Sequence, residues 1–221
     1  MIAQDLINAL IPALRADDSI SRATVLMDDF NVTHLPVVEN HRFRGFISNT
    51  MLFDDFMNYA QVGEYPLDAT ACYVRQEQHF YDVVKSIADC DQNMVAVLDD
   101  EGEFQGVITT DDLVKAFSAT SAVQSPGGIL EVSVKQIDYS LAEITRLIEA
   151  DGVKILGCFL RNELDDPTQI RVTLKLDKKD ITRSAATLER FNYRVRALFQ
   201  EEVAVSYEKE RLDALLRYLD I

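Results

Sequence analysis

A glycine-led apolar strand running into an acidic helix start, Gly106-Val107-Ile108-Thr109-Thr110-Asp111-Asp112-Leu113, offers the residue types and spacing best suited to chemistry. The glycine lets another group approach the backbone closely, and the two β-branched residues suit a buried strand. Thr109 then stands at the strand end and Asp112 in the first turn of the next helix. A hydroxyl and a carboxylate so spaced across a strand-to-helix turn can face one small cleft. The carboxylate can accept two bonds from a vicinal diol such as ribose, and free amides of the helix start can meet an anion. Thr110, Asp111 and Asp112 also read as plain helix-capping residues, and spacing alone leaves both readings open.

Other chemistry is poorly supported. Cys72, Cys90 and Cys158 are odd in number and far apart, and His34, His41 and His79 are equally scattered. Without a Cys-x-x-Cys pair there is no zinc signature, and a reduced cytoplasmic chain is expected, each cysteine serving as a small buried apolar residue. Asp28-Asp29, Asp54-Asp55, Asp165-Asp166 and Glu201-Glu202 are paired carboxylates, but neighbours in sequence point apart and read as solvated faces. There is no Walker lysine motif, no GxGxxG and no grouping that suggests a catalytic triad. The expectation is a protein that is not an enzyme and requires no cofactor. A formal charge of -15 argues against nucleic acid or an anionic membrane surface as a partner, since both demand a basic footprint. No apolar run approaches the roughly 20 residues of a membrane span. The start, MIAQDLINALIPALRADD, lacks a basic n-region and a cleavage site, so a signal peptide is not expected; Ile2, Leu6, Ile7 and Leu10 fit one helical face.

The elements that must position Thr109 and Asp112 occur twice. Leu14 to Val38 lies over Val74 to Leu98 at a constant offset of 60 residues, and after one extra residue Gly45-Phe46-Ile47-Ser48 falls on Gly106-Val107-Ile108-Thr109. In the first copy Asp17-Asp18-Ser19 opens a helix carrying Ile20, Ala23, Met27 and Phe30; His34 to Val38 and Phe43 to Ile47 are strands. Asn49 caps a helix with Met51, Leu52, Phe53 and Phe56. In the second copy Phe80 to Ala88 is a helix, Met94 to Leu98 and Phe104 to Ile108 are strands around the turn Asp99 to Gly102, and a helix runs from Thr110 to near Phe117. Two half-units of this length must bury their apolar faces against each other, and a ligand would lie at their seam.

Ser118 to Gly128 (SATSAVQSPGG) reads as a linker. Beyond it come strand Ile129 to Val134, a helix capped by Ser140 and ended by Gly152, strands Val153 to Leu160 and Ile170 to Leu176, a helix from Asp180 to about Asn192, and strand Val195 to Phe199. That is a split βαβ sandwich. Glu208 to Leu219 reads as an appended amphipathic helix, with Leu212, Leu215, Leu216 and Leu219 on one stripe.

The paired units, with His34-Leu35-Pro36-Val37-Val38 and Gly45 to Ser48, then Val95-Ala96-Val97-Leu98 and Gly106 to Leu113, resemble a tandem pair of CBS (cystathionine-β-synthase) domains, the Bateman module, over roughly residues 10 to 118. The resemblance implies binding of an adenosine-containing ligand (AMP, ADP, ATP or S-adenosylmethionine) and regulation of a partner. It implies that the hydroxyl and the Asp three residues later bind phosphate and ribose, positions matched by Thr109 and Asp112. In the first unit Ser48 keeps the hydroxyl, but Met51 stands where the carboxylate would be, so one live site and one degenerate site are expected. His34 is the basic position of unit one, where unit two has Met94, and Ala96 replaces the usual proline. The residues assigned to ligand binding are Thr109, Asp112, Ile108, Cys72, Ser48 and His34. A triphosphate would lean on Arg42, Arg44, Arg75 or Lys115, which favours AMP, ADP or adenosine over ATP.

The carboxy-terminal unit resembles an ACT domain by its βαββαβ order. The turn where such domains hold amino acids, Ile137 to Ala142, contains no glycine, and Ser140 is used as a cap. The order of two CBS units and an ACT-like unit is similar to accessory proteins named for acetoin utilisation. The expected fold is therefore α/β in the α+β sense, a CBS pair followed by a ferredoxin-like ACT domain. The expected boundaries are 1–60 (first helix and CBS unit one), 61–118 (CBS unit two), 119–128 (linker), 129–200 (ACT-like) and 201–221 (helical extension). The expected function is that of a homodimeric sensor that binds an adenine nucleotide and relays it through the linker to the ACT-like unit or to a regulated protein. The alternatives are a dimerisation scaffold with vestigial sites, or an amino-acid sensor through the ACT-like unit.

Overall fold

The computed structural model describes residues 1–52, 59–67, 72–90, 92–163 and 165–200. Phe53, Phe56, Asp54-Asp55, Glu201-Glu202 and the amphipathic helix expected at 208–219 lie outside the described residues. The chain divides into two compact units, with the division between Ser118 and Ala119.

The first repeat comprises β1 (Leu14–Arg15), α1 (Ile20–Phe30), β2 (His34–Glu39), β3 (Arg42–Ser48) and α2 (Asn49–Leu52). The second comprises β4 (Tyr73–Arg75), α3 (Phe80–Asp89), β5 (Met94–Leu98), β6 (Phe104–Thr109) and α4 (Thr110–Ser118). Each forms a three-stranded sheet, β1-β2-β3 or β4-β5-β6, with a parallel first pair and an antiparallel second pair. The hairpins match the sequence reading. The parallel strands β1 and β4 were not anticipated, being too short to show an alternating pattern. A register shift follows Val37 in one sheet and Val97 in the other, opposite Gly45 and Gly106, so even the irregularity is repeated.

Helix starts differ in detail. Ser19 Oγ accepts from Arg22 N, while in the second repeat His79 Nδ1 accepts from Tyr81 N. Ser48, rather than Asn49, caps α2, accepting from Met51 N at 3.2 Å. The reason is geometric: Ser48 still has extended backbone, as an N-cap requires, whereas Asn49 is already helical.

The amino-terminal stretch is not the continuous helix that Ile2, Leu6, Ile7 and Leu10 suggest. It makes one 3-10 turn, Ala3–Leu6, and leaves Leu10 77% exposed. Ala3 N donates to Gln78 O at 2.9 Å and Gln4 N to Gln76 O at 3.0 Å. Ala3 and Leu6 are therefore buried with Val74, Phe80 and Val95, in the core of the second repeat. The segment before β4 does the converse: Val62 N donates to Asp18 O at 3.0 Å and Gly63 N to Ala16 O at 2.8 Å, burying Val62 and Tyr65 with Leu14 and Leu35. Each repeat thus completes the other's core, and the packing boundary crosses the expected division at residue 60. Between the sheets Phe43 and Phe46 pack with Met94, Ala96, Leu98 and Val107, and Phe43 stacks on Phe104 at 6.1 Å.

Cys72 and Cys90 also meet in this seam and form a disulfide, with their α-carbons 5.8 Å apart. This corrects the expectation that every cysteine is reduced. Cys72 precedes β4 and Cys90 ends α3, and the parallel packing of β4 with β5 brings these distant positions together. Cys158 is free.

The second unit holds α5 (Ser121–Gln124), β7 (Ile129–Lys135), α6 (Leu141–Ala150), β8 (Ile155–Asn162), β9 (Gln169–Leu176), α7 (Thr182–Arg190) and β10 (Arg194–Phe199). The antiparallel sheet runs β10-β7-β9-β8. Leu130, Val132, Val172 and Leu174 on one sheet face pack with Ile144, Leu147, Ile148 and Leu188 of the helices. This is the βαββαβ order read from the sequence. The stretch read as a bare linker instead forms α5, whose Ala122 lies against Gly157 of β8. Gly127 has φ +151, and a Cβ there would collide with the Leu176 carbonyl, so only glycine fits this crossing. No helix among the described residues is long and apolar enough to cross a membrane.

Candidate functional site

The two residues singled out by spacing do meet. Thr109 ends β6 and Asp112 lies in the first turn of α4. Thr109 Oγ1 donates to Asp112 Oδ2 at 2.6 Å, Thr109 N donates to the same oxygen at 3.0 Å, and Asp112 N donates back to Thr109 Oγ1 at 3.1 Å. This is a reciprocal cap, so the capping role is real. It also fixes the carboxylate at the wall of a cavity of about 250 Å³ lined by Asn8, Leu10, Ile11, Phe30, Asn31, Val32, Asn93, Thr109, Thr110, Asp111, Asp112 and Lys115. The lining comes from both repeats and from the strap before β1, as the seam argument requires.

The helix start offers fewer amides than expected. Thr110 N donates to Asn93 O at 2.9 Å, and Asp112 N is taken by Thr109. Among the four cations considered for phosphates, Lys115 lines the cavity. Arg42 and Arg75 donate instead to the carbonyls of Glu101 and Asp99. Arg44 stands 3.6 Å from Glu39. With Asp111 and Asp112 beside one lysine, the cavity is a poor host for concentrated negative charge.

The other assigned residues do not all converge there. Ile108 is fully buried in the second repeat's core, directly before Thr109. The Cys72 sulfur is held by Cys90, and its carbonyl accepts from Ala96 N at 3.0 Å. Ser48 and His34 face each other across β2 and β3. Ser48 Oγ bonds Thr50 Oγ1 at 2.8 Å, and His34 Nδ1 lies 2.9 Å from Thr33 Oγ1. His34 lines a shallow groove with Thr33, Ile87, Cys90, Gln92, Asn93 and Thr110. Met51 packs against the first repeat's core. The first repeat therefore presents a hydroxyl and a thioether where the second presents a hydroxyl and a carboxylate.

Sequence reasoning missed Asn8. Its Nδ2 lies 3.2 Å from Asp112 Oδ1 and 3.1 Å from Asp112 Oδ2, across 104 residues of chain. A lone asparagine in an irregular strap carries no periodic signal that would have revealed it.

In the second unit a cavity of about 440 Å³ lies beside the turn after β7, lined by Ser133, Lys135, Asp138, Glu143, Gln169 and Arg194 among others. Ser140 Oγ accepts from Glu143 N at 3.2 Å, which spends it as a cap. Burial raises the Cys158 thiol pKa, which weakens it as a nucleophile. No group of three or more His, Cys, Asp and Glu side chains among the described residues is arranged to hold a metal ion.

The family model described as CBS domain matches residues 4–57 and 71–119, one stretch for each repeat. Among solved structures the chain is similar to a CBS domain pair/ACT domain protein from Thermotoga maritima, with 15% identity over 53% of this chain and 96% of that one and a TM-score of 0.48. It is similar to the CBS-pair protein CBSX2 from Arabidopsis thaliana, with 18% identity over 52% and 93% and a TM-score of 0.47. A structure of CBSX2 in complex with AMP matches with 20% identity over 52% and 95% and a TM-score of 0.46; the AMP belongs to that protein.

Proposed function

We propose that this chain, with its tandem CBS domains, is a non-catalytic regulatory protein that binds one adenosine-containing ligand at the Thr109–Asp112 cleft. The observation that carries the reading is the asymmetry of equivalent positions. Asp112 holds its carboxylate at a cavity wall, whereas the half-buried Met51 packs a thioether against a core. A carboxylate can accept from both hydroxyls of a ribose; a thioether cannot. A single lysine in the cleft favours AMP, ADP or adenosine over ATP. In the reading Ile108, directly before Thr109, backs this cleft, and Ser48 and His34 belong to its degenerate counterpart, whose groove is lined by Cys90, the disulfide partner of Cys72.

The regulatory step is a population shift: ligand prefers one arrangement of the two repeats, and the preference passes along the chain to an ACT-like second unit or to a regulated protein. The reading includes a homodimer joined by second units, supported by exposed apolar side chains on the edge strand β8, Phe159 at 44% and Leu160 at 53%. It also includes a cytoplasmic setting, where the Cys72–Cys90 bond would turn over with the thiol pool.

A second reading has its own support. The cavity beside the turn after β7 brings Lys135 and Arg194 together with Asp138 and Glu143, charges that suit the two ends of an amino acid. Thermal unfolding against AMP, ADP, adenosine, ATP, S-adenosylmethionine and a panel of amino acids separates the readings. An adenine ligand should stabilise the protein by about 2.7 kcal/mol at a hundredfold excess over Kd, and Asp112→Ala should abolish the gain. A response to amino acids alone would replace the first reading with the second. No response to any of them would leave a scaffold with vestigial sites.

A further inference from the structure

We propose that Asn8 occupies the ribose position of the cleft as an intramolecular stand-in, and that a ligand reaching Asp112 must displace it. This rests on the reading of the cleft as an adenosine site. The Asn8 amide nitrogen touches both oxygens of Asp112, at 3.2 and 3.1 Å, and so supplies from within the chain the contacts that two vicinal hydroxyls would supply from a ligand. Asp112 Oδ2 already accepts from the Thr109 amide and hydroxyl, so among the described residues Asn8 is the partner of the carboxylate that can leave without undoing the cap of α4. The cavity with Asn8 in place, about 250 Å³, is below the roughly 300 Å³ at which small-molecule sites begin. Departure of the Asn8 side chain both frees the carboxylate and enlarges the space.

The surroundings confine the motion. Upstream, Ala3 and Leu6 are buried in the second repeat, and downstream Leu14 is buried in the first. Asn8 N donates to Val107 O at 2.8 Å, and Asn8 Oδ1 accepts from Leu10 N at 3.0 Å, closing a small turn. Leu10 is exposed, so this turn can open outward while both anchors stay in place. Because the strap joins the core of one repeat to the first strand of the other, its displacement by ligand acts on the seam between them. Asn8 thereby sets the affinity of the cleft and links occupancy to the arrangement of the repeats.

Isothermal titration of AMP and of adenosine into wild-type protein, Asn8→Ala and Asn8→Ser tests this. Serine keeps a side-chain acceptor for the Leu10 amide but is too short to reach Asp112, so it carries the test should the alanine variant fail to fold. Loss of one charge-assisted hydrogen bond from the unliganded state predicts binding about tenfold tighter in both variants. Wild-type binding with unchanged or weaker binding by the variants overturns the role of Asn8 and leaves the cleft assignment standing. Silence from all three proteins overturns the cleft assignment and this proposal with it. In wild-type protein labelled with nitrogen-15, the Asn8 side-chain amide resonances should shift on saturation with AMP. Resonances that stay fixed while AMP binds would equally refute displacement.

Discussion

Among the described residues Asp112 has two partners of different kinds, and the difference separates what the sequence discloses from what it hides. Its bonds to Thr109 are local, and the spacing of a hydroxyl and a carboxylate across a strand-to-helix turn announces them. Its bonds to Asn8 cross 104 residues and belong to no repeat, motif or period. The same limit explains the disulfide. Cys72 and Cys90 carry no pairing signature in the sequence, and only the folded repeat brings their α-carbons to 5.8 Å. The Met51 side of the comparison was legible, because an offset read between two copies needs no third dimension. At this scale Thr109→Val isolates the capping role. Valine suits the strand but has no hydroxyl, so the loss of the cap should cost about 1 kcal/mol in denaturant unfolding. A variant as stable as the parent would mean that the Asp112 bond to the Thr109 amide suffices to start α4.

Elements were legible where their period is long enough to register. Strand β5 has the bounds read from the sequence, Met94–Leu98, and α1 and α3 show an apolar stripe over several turns. The two parallel strands β1 and β4 were not legible, and neither was the exchange of the segments before them. That exchange depends on backbone bonds, such as Ala3 to Gln78 and Val62 to Asp18, to which side-chain patterns are blind. The linker was read from small polar residues, which are equally compatible with the turn of helix at α5 once Ala122 meets Gly157. The disulfide belongs to this scale, since it ties the end of α3 to the residue before β4 across a sequence separation of 18. A loop of that size is worth about 3 kcal/mol in the chain-entropy account. Unfolding with and without reductant should show a lower midpoint under reducing conditions, and Cys90→Ala should be insensitive to reductant. An unchanged midpoint in the wild-type protein would show that the bond contributes no stability.

At the scale of the whole molecule the βαββαβ order of the second unit was readable from the run of elements, as was the excess of acid over base. How acidic groups are used was not readable. Glu163 is held by a forked pair of bonds from Arg171, at 3.0 and 2.8 Å, and these hydrogen bonds lower its pKa against the opposing effect of burial. Hydrogen bonds from Thr168 and Gln169 lower Asp166, and bonds from Thr182 lower Asp180. Carboxylates depressed in the folded state contribute stability that is complete above the ordinary carboxylate range, about pH 4, and is lost as pH falls through the lowered folded values. The midpoint of thermal unfolding should therefore fall on acidification below pH 4, and Glu163→Gln should flatten that slope; an identical slope in the variant would remove Glu163 from the account. The central claim is one adenosine-containing ligand per chain, bound through Asp112 and not through the position of Met51. Calorimetric titration of AMP measures this most directly. The account predicts one site per chain and no heat of binding in Asp112→Ala; two sites per chain, or an undiminished titration in that variant, would contradict it.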